Sequence, residues 1–118
     1  MKVLIADDDQ LIRTMVSDLL AELGHAAVVA SSGAEAVALA ASELPDVLVL
    51  DFLMPRLSGL DALRSIRAAG NRAPAILLSA ISDRSVRAVE GADLVELVLE
   101  KPLSRRALEK ALAEVARR

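Results

Sequence analysis

The chain of 118 residues predicts an α/β fold, a five-stranded parallel sheet with helices on both faces. Three observations predict it. Short runs of Val, Leu, Ile and Ala recur without polar alternation, the pattern of strands buried on both faces. Stretches of helical period separate those runs. Several runs lead directly into polar residues, as strands do when their C-terminal ends open onto a shared crevice.

Val3-Leu4-Ile5-Ala6 reads as the first strand and ends in Asp7-Asp8-Asp9. Ile12, Val16, Leu19, Leu20 and Leu23 then recur at helical spacing, with Asp9 as N-cap and Gly24 as C-terminal stop. His25 to Ala30 reads as a weaker strand. Ser32-Gly33-Ala34-Glu35 has capping-box spacing and opens a helix through Ala36, Val37, Leu39 and Ala40. Pro45-Asp46 leads into Val47-Leu48-Val49-Leu50-Asp51, four apolar residues running into one carboxylate. After the turn at Met54-Pro55, Ser58 caps a helix carrying Leu60, Leu63, Ile66 and Arg67, and Gly70-Asn71 ends it.

Ala75-Ile76-Leu77-Leu78 is the next buried strand, ending at Ser79-Ala80. Asp83 to Glu90 predicts a short helix broken by Gly91. Leu94 to Leu99 predicts the last strand, ending at Glu100-Lys101-Pro102. Ser104 caps the final helix, which turns Ala107, Leu108, Ala111, Leu112 and Val115 inward, with Leu103 and Leu108 at hydrophobic-staple positions. Strand and helix alternate five times. With right-handed crossovers, a chain of this size fits the flavodoxin-like order 2-1-3-4-5. Its switch point lies between the first and third strands, where Asp7-Asp8 and Asp51 emerge.

Length and composition narrow the function. Residues 1–118 are expected to form one domain with a core of small aliphatics, since 54% of the chain is hydrophobic and Phe52 is its one aromatic residue. With no cysteine, disulfides, thiolate metal sites and thiol catalysis are excluded. A net charge of -3 argues against nucleic acid as a direct partner. The apolar runs are too short to span a bilayer and no signal peptide precedes the first strand, so a cytoplasmic protein without membrane contact is expected.

Asp7, Asp8, Asp51, Ser79 and Lys101 are placed by this topology on one edge. Three carboxylates together raise one another's proton affinity unless a cation joins them. Oxygen donors without His or Cys suit a hard ion, Mg²⁺ before Ca²⁺ or Zn²⁺. A carboxylate, a hard cation, a lysine and a hydroxyl are the parts of an in-line phosphoryl transfer.

The acidic pair Asp7-Asp8, the turn Asp51-Phe52-Leu53-Met54-Pro55 with Gly59, the pair Ser79-Ala80 and the pair Lys101-Pro102 resemble a stand-alone response-regulator receiver domain of the CheY type, over the whole chain and in order. The resemblance implies Asp51 as the phosphoacceptor, supplied by a histidine kinase, a phosphotransfer protein or a small phosphodonor. It implies Mg²⁺ held by Asp8, Asp51 and the backbone carbonyl of Leu53, with Asp7 acting through water. Lys101 would pair with a phosphoryl oxygen, and Ser79 would move to hydrogen-bond the phosphoryl group. The Lys101–Pro102 bond would be cis. The domain would catalyse only its own phosphorylation and dephosphorylation, in a bacterial two-component pathway, and signal to a protein target through its fourth helix, last strand and last helix.

Three features depart from the family. Val98 stands where it usually has Tyr or Phe, so an aromatic rotor cannot carry the output. The Gly91-Ala92-Asp93 triplet lies about three residues early, which predicts a short or irregular fourth helix. Leu53 and Ile81 flank the site with apolar side chains that cannot hold a hydrolytic water, which predicts slow self-dephosphorylation.

Plainer readings stand beside these. Asp9 serves mainly as a helix cap, His25 as a turn residue, and Met15 and Met54 as packing. Arg84, Arg87, Arg105 and Arg106 form a solvated face or a partner surface. A pseudo-receiver that takes no phosphate is the alternative function. A haloacid-dehalogenase-type enzyme is disfavoured because Leu53 replaces the second Asp, and a nucleotide-binding fold because no Gly-rich loop follows a strand. The output is expected in a partner protein, or in further domains if the chain is part of a longer regulator.

Overall fold

A computed structural model describes residues 1–89 and 91–117, without the side chain of Asp83. Five strands, β1 (Lys2–Ala6), β2 (Ala26–Ala30), β3 (Val47–Asp51), β4 (Ala75–Ser79) and β5 (Leu97–Glu100), alternate with five helices. These are α1 (Gln10–Glu22), α2 (Gly33–Glu43), α3 (Gly59–Ala68), α4 (Asp83–Arg87) and α5 (Arg105–Ala116). The strands are parallel and ordered β2-β1-β3-β4-β5. This is the doubly wound order 2-1-3-4-5 that the sequence predicts.

Strand side chains alternate between two apolar layers. Leu4, Leu48, Leu50 and Leu77 face Ala36, Ala40, Leu60, Leu63 and Ile66 of α2 and α3. Val3, Ile5, Val49, Ile76 and Leu78 face Val16 and Leu20 of α1 and Leu108, Leu112 and Val115 of α5. β3 and β4 are buried at every position, which explains their unbroken apolar runs.

The caps form as read. Asp9, Ser32, Ser58 and Ser104 accept from the main chain of Leu11, Glu35, Asp61 and Ala107. Glu35 reaches back to the N–H of Ser31 at 2.9 Å, one residue before the cap. Leu103 and Leu108 join the same apolar cluster. Met15 packs against it, and Met54 is buried in the other layer. His25 follows the turn at Gly24, its Nδ1 3.0 Å from the Met1 amine.

The segment between β4 and β5 has the short, irregular fourth helix and the longer lead-in to the last strand that the early Gly91-Ala92-Asp93 triplet predicts, while the element bounds differ from those read for Asp83–Glu90 and Leu94–Leu99. α4 stops at Arg87, while Glu90 lies outside the described residues. Ala92–Leu94 forms a turn of 3-10 helix, and β5 begins at Leu97, not Leu94. The Arg87 guanidinium is the physical cause. Its Nη1 donates to the carbonyls of Ala92 at 2.8 Å and Val95 at 2.9 Å, holding the segment in a turn. The side chain of Glu96 accepts from the Ala75 N–H, and the Glu96 N–H donates to the Ala75 carbonyl at 3.0 Å, one residue before β5. Arg87 is exposed and also acts as a structural clamp.

Candidate functional site

The site lies where β1, β3, β4 and β5 end. Asp7 directly follows β1 and is fully buried, and Asp51 closes β3 with 5% of its surface exposed. Asp8 is exposed at the start of the turn into α1. One carboxylate oxygen from each of Asp7, Asp8 and Asp51 lies within 4.8 Å of the others. Lys101, one residue past β5, reaches across the sheet edge. Its Nζ lies 3.1 Å from Asp51 Oδ1 and 3.2 Å from Asp7 Oδ2.

These charges act on one another. Burial and then the Asp7 charge push the Asp51 carboxyl up to about 6 from 3.8, against the hydrogen bond and charge of Lys101. Burial acts to lower the Lys101 ammonium, but its hydrogen bonds and charge pairing with Asp51 and Asp7 outweigh that and raise it. Lys101 is thus a fixed cation between two carboxylates.

The loops are shaped by close approach. The Asp9 N–H donates to Asp7 Oδ1 at 2.9 Å, which orients that carboxylate. The Phe52 N–H donates to the Leu78 carbonyl at 2.8 Å, and the Gly59 N–H to the Phe52 carbonyl at 3.0 Å. A Cβ on Gly59 would collide with the Asp51 carbonyl oxygen, so only glycine lets α3 begin this close to β3. Gly33 is confined in the same way, since a Cβ there would lie 2.6 Å from the Leu57 carbonyl oxygen.

The remaining expected residues sit around the crevice. Ser79 ends β4, buried, its hydroxyl accepting from the Ile81 N–H at 3.0 Å. Its carbonyl accepts from the Lys101 N–H at 2.8 Å, and Lys101–Pro102 is cis. Leu53 and Ile81 are exposed beside the mouth. Val98 packs against the layer beneath α3. The sequence reading missed Arg13, whose Nη1 donates to the Asp7 carbonyl at 2.9 Å. Its placement four residues after the Asp9 cap, on the helix that follows the acidic turn, was the available signal.

The chain matches the family model of the response regulator receiver domain over residues 3–113, and it belongs to that family, the receiver domains of two-component systems. It is 38% identical to "Response regulator MprA" of Mycobacterium avium over 98% of this chain and 49% of the relative. A similar relation holds to the protein of the same name from Mycobacterium tuberculosis, 38% over 97% and 48%. The chain spans about half the length of these curated relatives.

Among solved structures it resembles Vibrio cholerae chemotaxis protein CheY4 at TM-score 0.90 and 31% identity, covering 97% of both chains. It also resembles Thermotoga maritima response regulator TrrA in complex with Mg²⁺ and BeF at TM-score 0.88 and 28% identity, covering 97% of both. Among the described residues, no helix is long and apolar enough to cross a membrane.

Proposed function

We propose that residues 1–118 act as one phosphorylation-controlled receiver domain whose acceptor is Asp51. The observation that carries this reading is the Asp51 carboxylate at a buried strand end, 3.1 Å from a lysine and clustered with two further carboxylates. In the transfer, an Asp51 carboxylate oxygen forms a bond to phosphorus. The bond from phosphorus to a histidine nitrogen or a small donor's oxygen breaks, and its electron pair leaves with the donor. Lys101 offsets charge on the phosphoryl oxygens. Ser79, by releasing the Ile81 N–H, would turn its hydroxyl to the phosphoryl group.

The donor set fits Mg²⁺. It consists of oxygens alone, and its three carboxylates outnumber the one ammonium, which is bonded to Asp7 and Asp51. Asp8 and Asp51 with the Leu53 carbonyl would hold the ion, and Asp7 would act through water. Bound there, the ion would supply charge neutralisation of the transferring group. Asp7 meanwhile holds Lys101 in place, and Arg13 holds the Asp7 main chain.

On this reading the protein is cytoplasmic, receives its phosphoryl group from a histidine kinase or phosphotransfer protein, and passes the signal to a protein through the α4–β5–α5 face. Intact mass after incubation with Mg²⁺ and acetyl phosphate tests it, beside Asp51→Ala. A phosphoryl gain that needs Mg²⁺ and is lost in the variant supports the acceptor role. No gain, together with no amide shifts on adding beryllofluoride, would leave the pseudo-receiver reading, which Val98 at the usual aromatic position favours.

A further inference from the structure

β2 is an edge strand with the sequence Ala-Ala-Val-Val-Ala, and nothing among the described residues pairs with its outer edge. Exposed edges usually carry charge, proline or a bulge that discourages a further strand. This one carries none of these. Ala26, Ala27 and Val29 are exposed, Val29 by 41%.

The inner hydrogen bonds fix which groups face outward. The Ala26 N–H bonds to the Met1 carbonyl, and the Ala30 carbonyl accepts from the Asp7 N–H. Ala26, Val28 and Ala30 therefore spend their main-chain groups on β1, and by alternation Ala27 and Val29 direct theirs away from the sheet. At either end the neighbouring donors are already used, His25 N–H on the Leu20 carbonyl and Ser31 N–H on Glu35.

We propose that this edge is a homodimer surface, taking β2 of a second copy antiparallel about a two-fold axis at Val28. In that register Ala27 and Val29 of one copy meet Val29 and Ala27 of the other. These form two hydrogen-bonded pairs that exchange four main-chain bonds, with Val28 opposite Val28 between them. No other centre uses both outward residues in full.

Charge favours a second copy as the occupant. Beside Val29, α1 borders a groove of about 290 Å³ lined by Gln10, Arg13, Thr14, Ser17 and Asp18. The same axis sets the two α1 helices antiparallel and brings Asp18 of each copy toward the Arg13 guanidinium of the other, whose Nη1 is on the Asp7 carbonyl and whose other N–H donors remain for the pair. An isologous interface requires this kind of self-complementarity. The pairing joins two five-stranded sheets into one and leaves the acidic crevice and the α4–β5–α5 face uncovered. A five-residue edge gives a small interface, so association belongs at the weak, reversible end.

Sedimentation equilibrium of the unphosphorylated protein up to about 1 mM tests this, with circular dichroism confirming the fold of each variant. Val29→Lys is expected to raise the dissociation constant about tenfold or more. Asp18→Arg, which sets like charges across the axis, is expected to weaken the dimer too, while Lys110→Glu on α5 leaves it unchanged. A monomer throughout the range overturns the proposal. So does a dimer that survives both Val29→Lys and Asp18→Arg, or one that Lys110→Glu abolishes.

Discussion

Lys101 joins the last strand to the central one, its ammonium 3.1 Å from the Asp51 carboxylate and closer to it than to Asp7 by only 0.1 Å, at 3.2 Å. The Asp51 carboxylate is consequently held between the attraction of Lys101 and the repulsion of Asp7. That balance has a pH signature.

The folded Asp51 carboxyl titrates at about 6 against 3.8 as its ordinary value. Between those values the folded chain keeps a proton that the unfolded chain has released. Its contribution to stability is complete below about pH 4 and is lost as pH rises through about 6. Thermal denaturation from pH 4 to pH 7 is expected to show this decline in the parent and not in Asp51→Asn. The variant should be more stable at pH 7 by about 1–2 kcal/mol, allowing for screening by water. Millimolar Mg²⁺ should recover more stability in the parent than in the variant. A parent profile that matches the variant's across this range counts against the assignment.

Leu53, 67% exposed, and Ile81 present methyl groups at the mouth of the crevice. Neither accepts a hydrogen bond from an attacking water. The phosphorylated protein is therefore expected to lose its phosphoryl group slowly. Leu53→Asn should shorten the lifetime about tenfold, the rate equivalent of one hydrogen bond to that water. Following the phosphorylated mass against time checks this, and an unchanged or longer lifetime would rule out the water-exclusion account.

Two glycines separate backbone freedom from space. Gly24 has a φ of +84° with nothing within 4 Å of a Cβ, whereas Gly59 meets the Asp51 carbonyl oxygen. Gly24→Ala is expected to cost about 1 kcal/mol through its left-handed backbone alone. Gly59→Ala should cost about 1–3 kcal/mol or more and also reduce phosphorylation, because the clash falls on the main chain of Asp51 itself. Urea denaturation and phosphoryl incorporation, run on both variants, test the contrast. Equal losses of stability with full incorporation in Gly59→Ala would contradict it.

The Arg87 clamp predicts a local effect. Arg87→Met removes the donors from the carbonyls of Ala92 and Val95, at a cost of about 1.5–3 kcal/mol for bonds to a charged group. Hydrogen exchange should accelerate through residues 91–96 while β1 and β3 keep their protection. Uniform acceleration across the sheet would show that the clamp supports the whole fold.

The parts of this structure that were legible in the sequence are those set by short-range patterns. Buried strands announce themselves as apolar runs, caps as Ser or Asp before a helical period, and the crevice as polar residues placed directly after strands. The gathering of Asp7, Asp8, Asp51 and Lys101 follows once strand order is known. What stayed hidden depends on long side chains that reach main-chain carbonyls. Arg87 reorganises the lead into β5, and Arg13 supports Asp7, and neither contact leaves a periodic trace. Nor does the sequence say that Gly33 is required by Leu57, 24 residues away, since a close approach is a property of two chain segments and not of either one.

β3 is the middle strand, buried at all five positions and bonded on both sides. Asp51 is thereby mounted on backbone fixed on both sides by the sheet. On the proposed reading, a change of charge at Asp51 would leave the carboxylate as the stationary reference, and its surroundings would supply the displacement. The nearest groups outside that strand are the Ser79 hydroxyl, the Ile81 amide bonded to it, and the short α4 beyond. A signal from this chain would travel outward along β4 and leave the centre of the sheet where it was.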